Sequence, residues 1–405
     1  MKRTLLGSSL VLSLAGLASA QTLYSINGPA ATVTEQTGPG LGPCGYPAGP
    51  GIGAFPTAVP YACPTVPAFP PPPALAGDVA VDRVGNLVWA TNGFIFTAYT
   101  PGGAVVNSFA LPAAFLPPGF GPVTGLGHDS ATGFLWLCGA AAACAILPPP
   151  APGCGPLPIL AVPPFPLPAA TAPHTDIDWD PSTGSLFLSS AIPGMVANVL
   201  PGGAAGPFGI FPAGAPCGLG GLTGIAVDHA ALAGTGTVYV TDGAIVARTA
   251  FPGVPAPPTF YSPAPCFPVL LPPASGLAFS AHGIAYGPAT PAGVLTLAGI
   301  GQSVSPNPGF AVVTTGSPLA STVLTYYSAT FTCPPIPFGA NLINIGIAPP
   351  PTFLGAGLGG APVTIPAPLP PFLPIPGGVY LQSVAVTVGG AILMSNGLEI
   401  SFTRP

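Results

Sequence analysis

Between residues 74 and 302, small and large side chains alternate with a period of two in short runs, each closed by a turn. That is the pattern of β-strands with two different faces. The runs recur. The first element of the unit reads Gly77-Asp78-Val79-Ala80-Val81-Asp82, then Thr124-Gly125-Leu126-Gly127-His128-Asp129 and Thr175-Asp176-Ile177-Asp178-Trp179-Asp180. It returns as Thr223-Gly224-Ile225-Ala226-Val227-Asp228 and as Ser275-Gly276-Leu277-Ala278-Phe279-Ser280. A second strand follows each and carries an aromatic residue: Trp89, Trp136, Phe187, Tyr239 and Tyr286. A third ends at Pro-Gly turns at 101, 152, 201 and 252, and a fourth is interrupted by proline, as suits an exposed outer edge.

Four strands per unit, a glycine-bounded first strand and a recurring aromatic describe the blade of a β-propeller. The predicted fold class is therefore all-β: a propeller of five clear blades, followed by a small antiparallel β-sandwich. The first strands would converge on the axis, where Gly and Ala fit, and the aromatics would pack between blades. Residues 21–73 have the length of one more unit; they read either as a divergent sixth blade or as strands that close the ring. The apolar run 133–147 is strand–turn–strand, like its counterpart 238–246, and no membrane span is predicted.

The repeat ends near Ser303. Residues 303–405 alternate again over Phe310 to Thr315, Thr322 to Tyr327, Leu342 to Ile347, Tyr380 to Val388 and Leu393 to Phe402. Ser395-Asn396-Gly397 between apolar runs predicts a tight hairpin turn.

The first twenty residues have the makeup of a secretory leader. Lys2 and Arg3 precede the apolar stretch Leu5 to Leu17, and Ala18-Ser19-Ala20 offers a small-residue cleavage site. The chain after it is expected to be secreted, at the cell envelope or outside it. It keeps three arginines (Arg83, Arg248, Arg404), no lysine and all ten acids. Nucleic-acid binding is excluded for want of cations to neutralise phosphate. Schiff-base and P-loop chemistry fall with the lysines. Pro 63 and Gly 57 of 405 residues would read as disorder, but 49% hydrophobic residues give the chain a core to bury, so they are read as turns.

Eight cysteines in an exported chain predict disulfides. Cys138 and Cys144 lie across a tight hairpin, Cys44 and Cys63 flank a proline-rich loop, and Cys217 and Cys266 follow equivalent strands of adjacent repeats. These are the three candidate pairs.

Asp82, Asp129, Asp180 and Asp228 end the first strand in four repeats and are read as turn caps, with Asp242 in the same role. His128 is read as a core or interblade residue, and His229 and His282 as turn residues. Three acids break the repeat. Asp78 and Asp176 replace Gly, and Asp178 replaces Gly or Ala. His174, Asp176, Asp178 and Asp180 alternate, so all four are expected to face one way, toward the axis. Asp78, Asp176 and Asp178, with His174 beside them, form the candidate channel site. It either bonds backbone amides or binds a hard cation such as Ca²⁺ through oxygen. No other cofactor is predicted.

The repeats resemble NHL-type and lactonase-like propeller repeats over about 230 residues. That resemblance implies a metal that polarises a carbonyl and activates water, with a Glu among its ligands. The only glutamates, Glu35 and Glu399, lie outside the clear repeats. The tail resembles a C-terminal module of planctomycete-type exported proteins, through Gly378-Val379-Tyr380-Leu381-Gln382 and Ser395 to Ile400, which implies a retention or sorting role. Three readings follow. The first is a non-catalytic propeller for binding or cell-surface structure, its partner a surface polymer, a protein or a small molecule. The second is a calcium-dependent lactone or sugar hydrolase, and the third an envelope component held by its C-terminal domain.

Overall fold

The computed structural model describes residues 22–27, 32–37, 53–56 and 77–402, apart from short stretches of which the longer are 151–157, 229–236, 253–265, 287–294, 301–308 and 370–376. Among the described residues, five four-stranded antiparallel sheets form the blades of a propeller. Blade 1 comprises Asp78–Asp82, Leu87–Thr91, Ile95–Tyr99 and Val105–Ala110, and blade 2 Gly125–Asp129, Phe134–Cys138, Ala142–Leu147 and Ile159–Pro166. Blade 3 comprises His174–Asp180, Ser185–Ser190, Val196–Val199 and Ala205–Phe211, and blade 4 Gly224–Asp228, Thr237–Thr241, Ile245–Ala250 and Cys266–Pro268.

Blade 5 is built from both ends of the repeat region. Its inner strand Gly276–Ser280 pairs with Thr22–Asn27, which continues to Thr32–Thr37 and Gly53–Pro56. Residues 22–56 thus supply the outer three strands of the last blade and close the ring. This corrects the aromatic column. Its members lie opposite the third residue of the inner strand in blades 1, 2 and 4 and opposite the fifth in the longer strand of blade 3: Trp89 opposite Ala80, Trp136 opposite Gly127, Tyr239 opposite Ala226 and Phe187 opposite Asp178. In blade 5 the residue opposite Ala278 is Tyr24, not Tyr286.

The five aromatics are buried in five apolar clusters, each shared by two neighbouring blades. Trp89 packs with Leu137 and Cys144 of blade 2, and Trp136 with Ile177 and Leu186 of blade 3. Phe187 meets Ile225 and Val238 of blade 4, Tyr239 meets Leu277 and Phe279 of blade 5, and Tyr24 meets Val79 and Val88 of blade 1. Burying such side chains contributes about 1.5–3 kcal/mol each, so the ring is cemented between blades as much as within them.

The segment Ile284–Tyr286, expected in the fifth repeat, pairs with Ile392–Phe402 in a five-stranded sheet that continues through Gly377–Thr387 and Ser321–Ser328 to Thr352–Leu358. Thr296–Ile300 likewise joins Ala311–Thr315 and Val363–Pro366. These two sheets enclose a core of Leu297, Phe310, Val323, Ile365, Leu381 and Leu398. The unit therefore begins after Ser280, not at residue 303. Once Thr22–Asn27 occupies the free edge of Gly276–Ser280, the following strands must find partners elsewhere.

Ser395-Asn396-Gly397 is not a turn. It lies inside the strand Ile392–Phe402, where Gln382 pairs with Gly397 and Val384 with Met394, so one extra residue is accommodated as a bulge. The Asn396 side chain bonds the neighbouring strand, its Oδ1 accepting from Leu297 N–H at 2.8 Å and its Nδ2 donating to Leu297 C=O at 3.1 Å.

Cys217 and Cys266 form a disulfide that ties the segment entering blade 4 to that blade's outermost strand. Cys138 and Cys144, expected as a pair, are both free and buried. Cys138 lies opposite Ala143, and Cys144 opposite Leu137. That offset of one residue sends the two thiols to opposite faces of the sheet, Cys138 toward blade 3 and Cys144 toward blade 1. Cys44 and Cys63 lie outside the described residues. Changing Cys217 and Cys266 to serine removes a cross-link spanning 49 residues. Urea unfolding should show a loss of about 2–4 kcal/mol, and an unchanged midpoint would mean that the link contributes nothing.

Candidate functional site

The inner strands lie side by side around the axis in the order of blades 1 to 5, and that of blade 5 returns to that of blade 1. Asp78, Gly125, Asp176, Gly224 and Gly276 form one layer; four are the first residues of their strands, and Asp176 is the third of the longer strand His174–Asp180. A Cβ on Gly125 would run into the Asp176 backbone, and one on Gly276 into the Asp78 carboxylate. The glycines let neighbouring strands touch, and the aspartates fill what remains.

Each of the three irregular aspartates makes the same pair of bonds. Asp78 Oδ1 accepts from its own Val79 N–H at 2.8 Å, and Oδ2 from Leu126 N–H of blade 2. Asp176 accepts from Ile177 and from Ile225 of blade 4, both at 2.6 Å. Asp178 accepts from Trp179 at 2.8 Å and from Val227 of blade 4 at 2.7 Å. One oxygen holds the carboxylate in its own strand, and the other catches the next blade. Inner strands of different blades do not form a ladder, so these amides would otherwise be buried without acceptors.

The surroundings shift these groups. Burial, then the charge of Asp176 and a hydrogen bond to it, hold Asp78 well above the usual carboxylate range. Burial pushes Asp176 up to about 8, against the bonds from Asp78, Ile225 and Ile177. Asp78 and Asp176 thus lie close enough at the axis to influence each other, and both hold protons more firmly than free carboxylates do. Burial raises Asp178 to about 6, and the nearby Arg83 guanidinium opposes the shift.

His174 does not join them. The ladder slips by one residue between His174 and Asp176, which breaks the alternation. The imidazole instead turns to the segment joining blades 2 and 3, where Nε2–H donates to Pro168 C=O at 3.3 Å. Burial lowers its pKa. Among the described residues no group of three or more His, Cys, Asp or Glu is placed to hold a metal ion. The donor set of Asp78, Asp176 and Asp178 does not fit calcium. Each of the six oxygens already accepts from a backbone N–H, and a hard cation would have to displace those donors.

At the far end of the inner strands, the repeated acids cap turns. Asp82 accepts from Gly85 N–H at 2.9 Å, Asp129 from Ala131 N–H at 3.0 Å and Thr132 Oγ1 at 2.7 Å, and Asp180 from Thr183 Oγ1 at 2.6 Å. Asp242 accepts from Ala244 and Ile245 N–H, both at 3.0 Å. Arg83 is buried here, its Nη2 donating to Val227 C=O of blade 4 at 3.0 Å. His128 is buried with Nδ1 3.1 Å from Ser130 Oγ and 3.9 Å from Asp82, and burial depresses its pKa against the pull of Asp82 and Asp129.

One column with an interblade role carried no prediction. Thr124, Thr175, Thr223 and Ser275 stand immediately before Gly125, Asp176, Gly224 and Gly276 in blades 2 to 5. In blades 2 to 4 the hydroxyl donates to a carbonyl at or just before the next inner strand, Thr124 to His174, Thr175 to Leu222 and Thr223 to Ala274, at 2.7–3.3 Å, whereas Ser275 donates to Ile26 C=O of its own blade at 3.3 Å. The recurrence of Thr or Ser at one place was the available signal. With the aspartates, these hydroxyls stitch the blades together from both sides of the peptide unit, at N–H and at C=O.

No family model matches the chain, and no curated protein does. Solved structures do. A protein of unknown function from Bacteroides caccae is 10% identical with a TM-score of 0.33, over 58% of this chain and 71% of that one. The β-propeller domain of Cps50 (Swd1) from Myceliophthora thermophila is 10% identical with a TM-score of 0.27, over 79% of this chain and 95% of that one. The Pan2 WD40 domain from Neurospora crassa is 9% identical with a TM-score of 0.26, over 61% of this chain and 62% of that one. The present chain thus spans less than two thirds of the Pan2 domain.

Proposed function

We propose that this protein is a non-catalytic, exported propeller that serves binding or structure at the cell surface. The observation that carries the reading is the use of the axial carboxylates. Asp78, Asp176 and Asp178 are buried and accept from backbone amides of their own and adjacent blades, which supports a structural use for the carboxylates that a hydrolytic propeller would offer to a metal. The leader-like first twenty residues and the Cys217–Cys266 disulfide support export. No helix among the described residues is long and apolar enough to cross a membrane. A chain in which only 4% of residues are charged favours neutral partners such as surface polymers over ionic ones. The resemblance of the tail to an exported-protein module fits retention at the envelope.

Two measurements test this. Purified protein lacking the leader should hydrolyse lactones, esters and aryl glycosides no faster than buffer, with or without added calcium. Turnover abolished by Asp176→Asn or Asp178→Asn would make it a hydrolase. Fractionated cells should hold the protein with the envelope; complete release to the medium, with no rebinding, would remove the surface role.

A further inference from the structure

Between Arg248 and Glu399 the chain contains no Asp, Glu, Lys or Arg. Apart from Glu399 in the interior strand Ile392–Phe402, the described C-terminal strands therefore lack the charged side chains that normally protect sheet edges from pairing with other chains. Elsewhere the protein uses proline. The outermost strands of blades 2 to 5 contain Pro163, Pro164 and Pro166, Pro207, Pro268, and Pro56. That of blade 1 is tied to blade 2 by Asn107 Nδ2 donating to Pro149 C=O at 2.9 Å. In the five-stranded C-terminal sheet, one terminal strand, Ile284–Tyr286, has only three residues. The other, Thr352–Leu358, has seven, with neither proline nor charge.

The pairing register shows which groups this edge offers. Gly359 N–H donates to Ser321 C=O, and the ladder runs on as Leu358 opposite Thr322, Gly357 opposite Val323 and Ala356 opposite Leu324. In an antiparallel pair, residues that exchange bonds alternate with residues that point theirs away. Gly357 therefore faces Ser321–Ser328, while the N–H and C=O groups of Ala356 and Leu358 face outward. Gly355 and Gly357 turn to Ile365 and Val363 in the sandwich core. Phe353 and Leu358 stand in solvent, 54% and 82% exposed.

We propose that Thr352–Leu358 is a docking edge for a second copy of this chain, joining two C-terminal sheets into one continuous sheet across a two-fold axis. Antiparallel addition of a strand to itself is self-complementary, so one surface suffices for both partners. With Gly357 on the axis, Ala356 and Leu358 of one copy exchange bonds with Leu358 and Ala356 of the other. Charge selects the occupant. When a surface meets its own copy, each formal charge meets its like near the axis, and here there is none to repel. An ionic partner would find nothing to pair with. The exposed Phe353 and Leu358 are the apolar surface such a contact would cover.

Light scattering and sedimentation of the leaderless protein test this. The wild type should show a dimer mass that falls toward the monomer on dilution. A356P removes one outward N–H and leaves the ladder to Ser321–Ser328 in place, so its mass should shift to that of the monomer with an unchanged circular dichroism spectrum. L358K changes an exposed side chain only and should also give monomer, because each copy now brings an ammonium to the shared edge. A wild type that is monomeric at every concentration overturns the proposal, as does a dimer surviving both changes. A monomeric wild type that loses envelope binding in L358K would assign the edge to another partner and equally overturn it.

Discussion

Replacing Asp176 with alanine is expected to destabilise the propeller by on the order of 3–5 kcal/mol, among the largest effects of any single substitution in this chain. Its carboxylate is fully buried and accepts from Ile177 and Ile225, so its removal leaves two amides without acceptors. Each orphaned buried donor costs about 1–3 kcal/mol. Asp78 also loses its neighbour at the axis, and the contact between blades 3 and 4 loses the bond from Ile225. Urea unfolding followed by tryptophan fluorescence measures the effect, since Trp89, Trp136 and Trp179 all lie in the propeller. Alanine at a turn of the neighbouring blade, as in Asp242→Ala, should cost about 1 kcal/mol or less. Equal losses at the two positions would mean that the axis has no special role.

The second large effect is with pH. Asp176 keeps its proton in the fold up to about 8, whereas in the unfolded chain it releases it near its ordinary value of 3.8. Between these values the native state binds more protons, so stability falls as pH rises. The contribution is fully present below the unfolded pKa and is lost once the folded one is passed. His128 and His174 act in the opposite sense. Burial lowers both, so they favour the unfolded chain as pH falls below about 6.5. The carboxyl effect is therefore cleanest above that point. From about pH 6.5 to 8 the wild type should lose about 2 kcal/mol, and Asp176→Asn should flatten the slope. A wild-type stability that rises over this interval would refute the protonated axial pair.

The sequence carried the inner strands plainly, because glycine and alanine recurring in a period-two run leave few other places to sit than the crowded centre of a ring. It also carried Cys217 and Cys266, whose equivalent places in adjacent repeats bring them together across one blade junction. Other features depend on register, which composition does not encode. Cys138 and Cys144 are close in sequence, yet a one-residue offset puts a sheet between them. Asn396-Gly397 has the makeup of a tight turn, but a reversal there would deny Leu297 its partner, and the chain bulges instead. His174 leaves the line of aspartates for the same kind of reason. The fifth aromatic was beyond local reading. Tyr24 lies some 250 residues from Ala278, while Tyr286 had the right local spacing and the wrong partner.

The pairing of Thr22–Asn27 with Gly276–Ser280 also governs when this protein can become a protein. Thr22–Asn27, made before any of the other blade strands, is among the last to be placed, because its partner follows more than two hundred residues later. Until then the four earlier blades form an open arc, with the apolar faces of blades 1 and 4 wet. Folding should be slow and all-or-none, as contacts of such wide sequence separation dictate, and a chain interrupted before Ser280 leaves an arc with nothing to seal it.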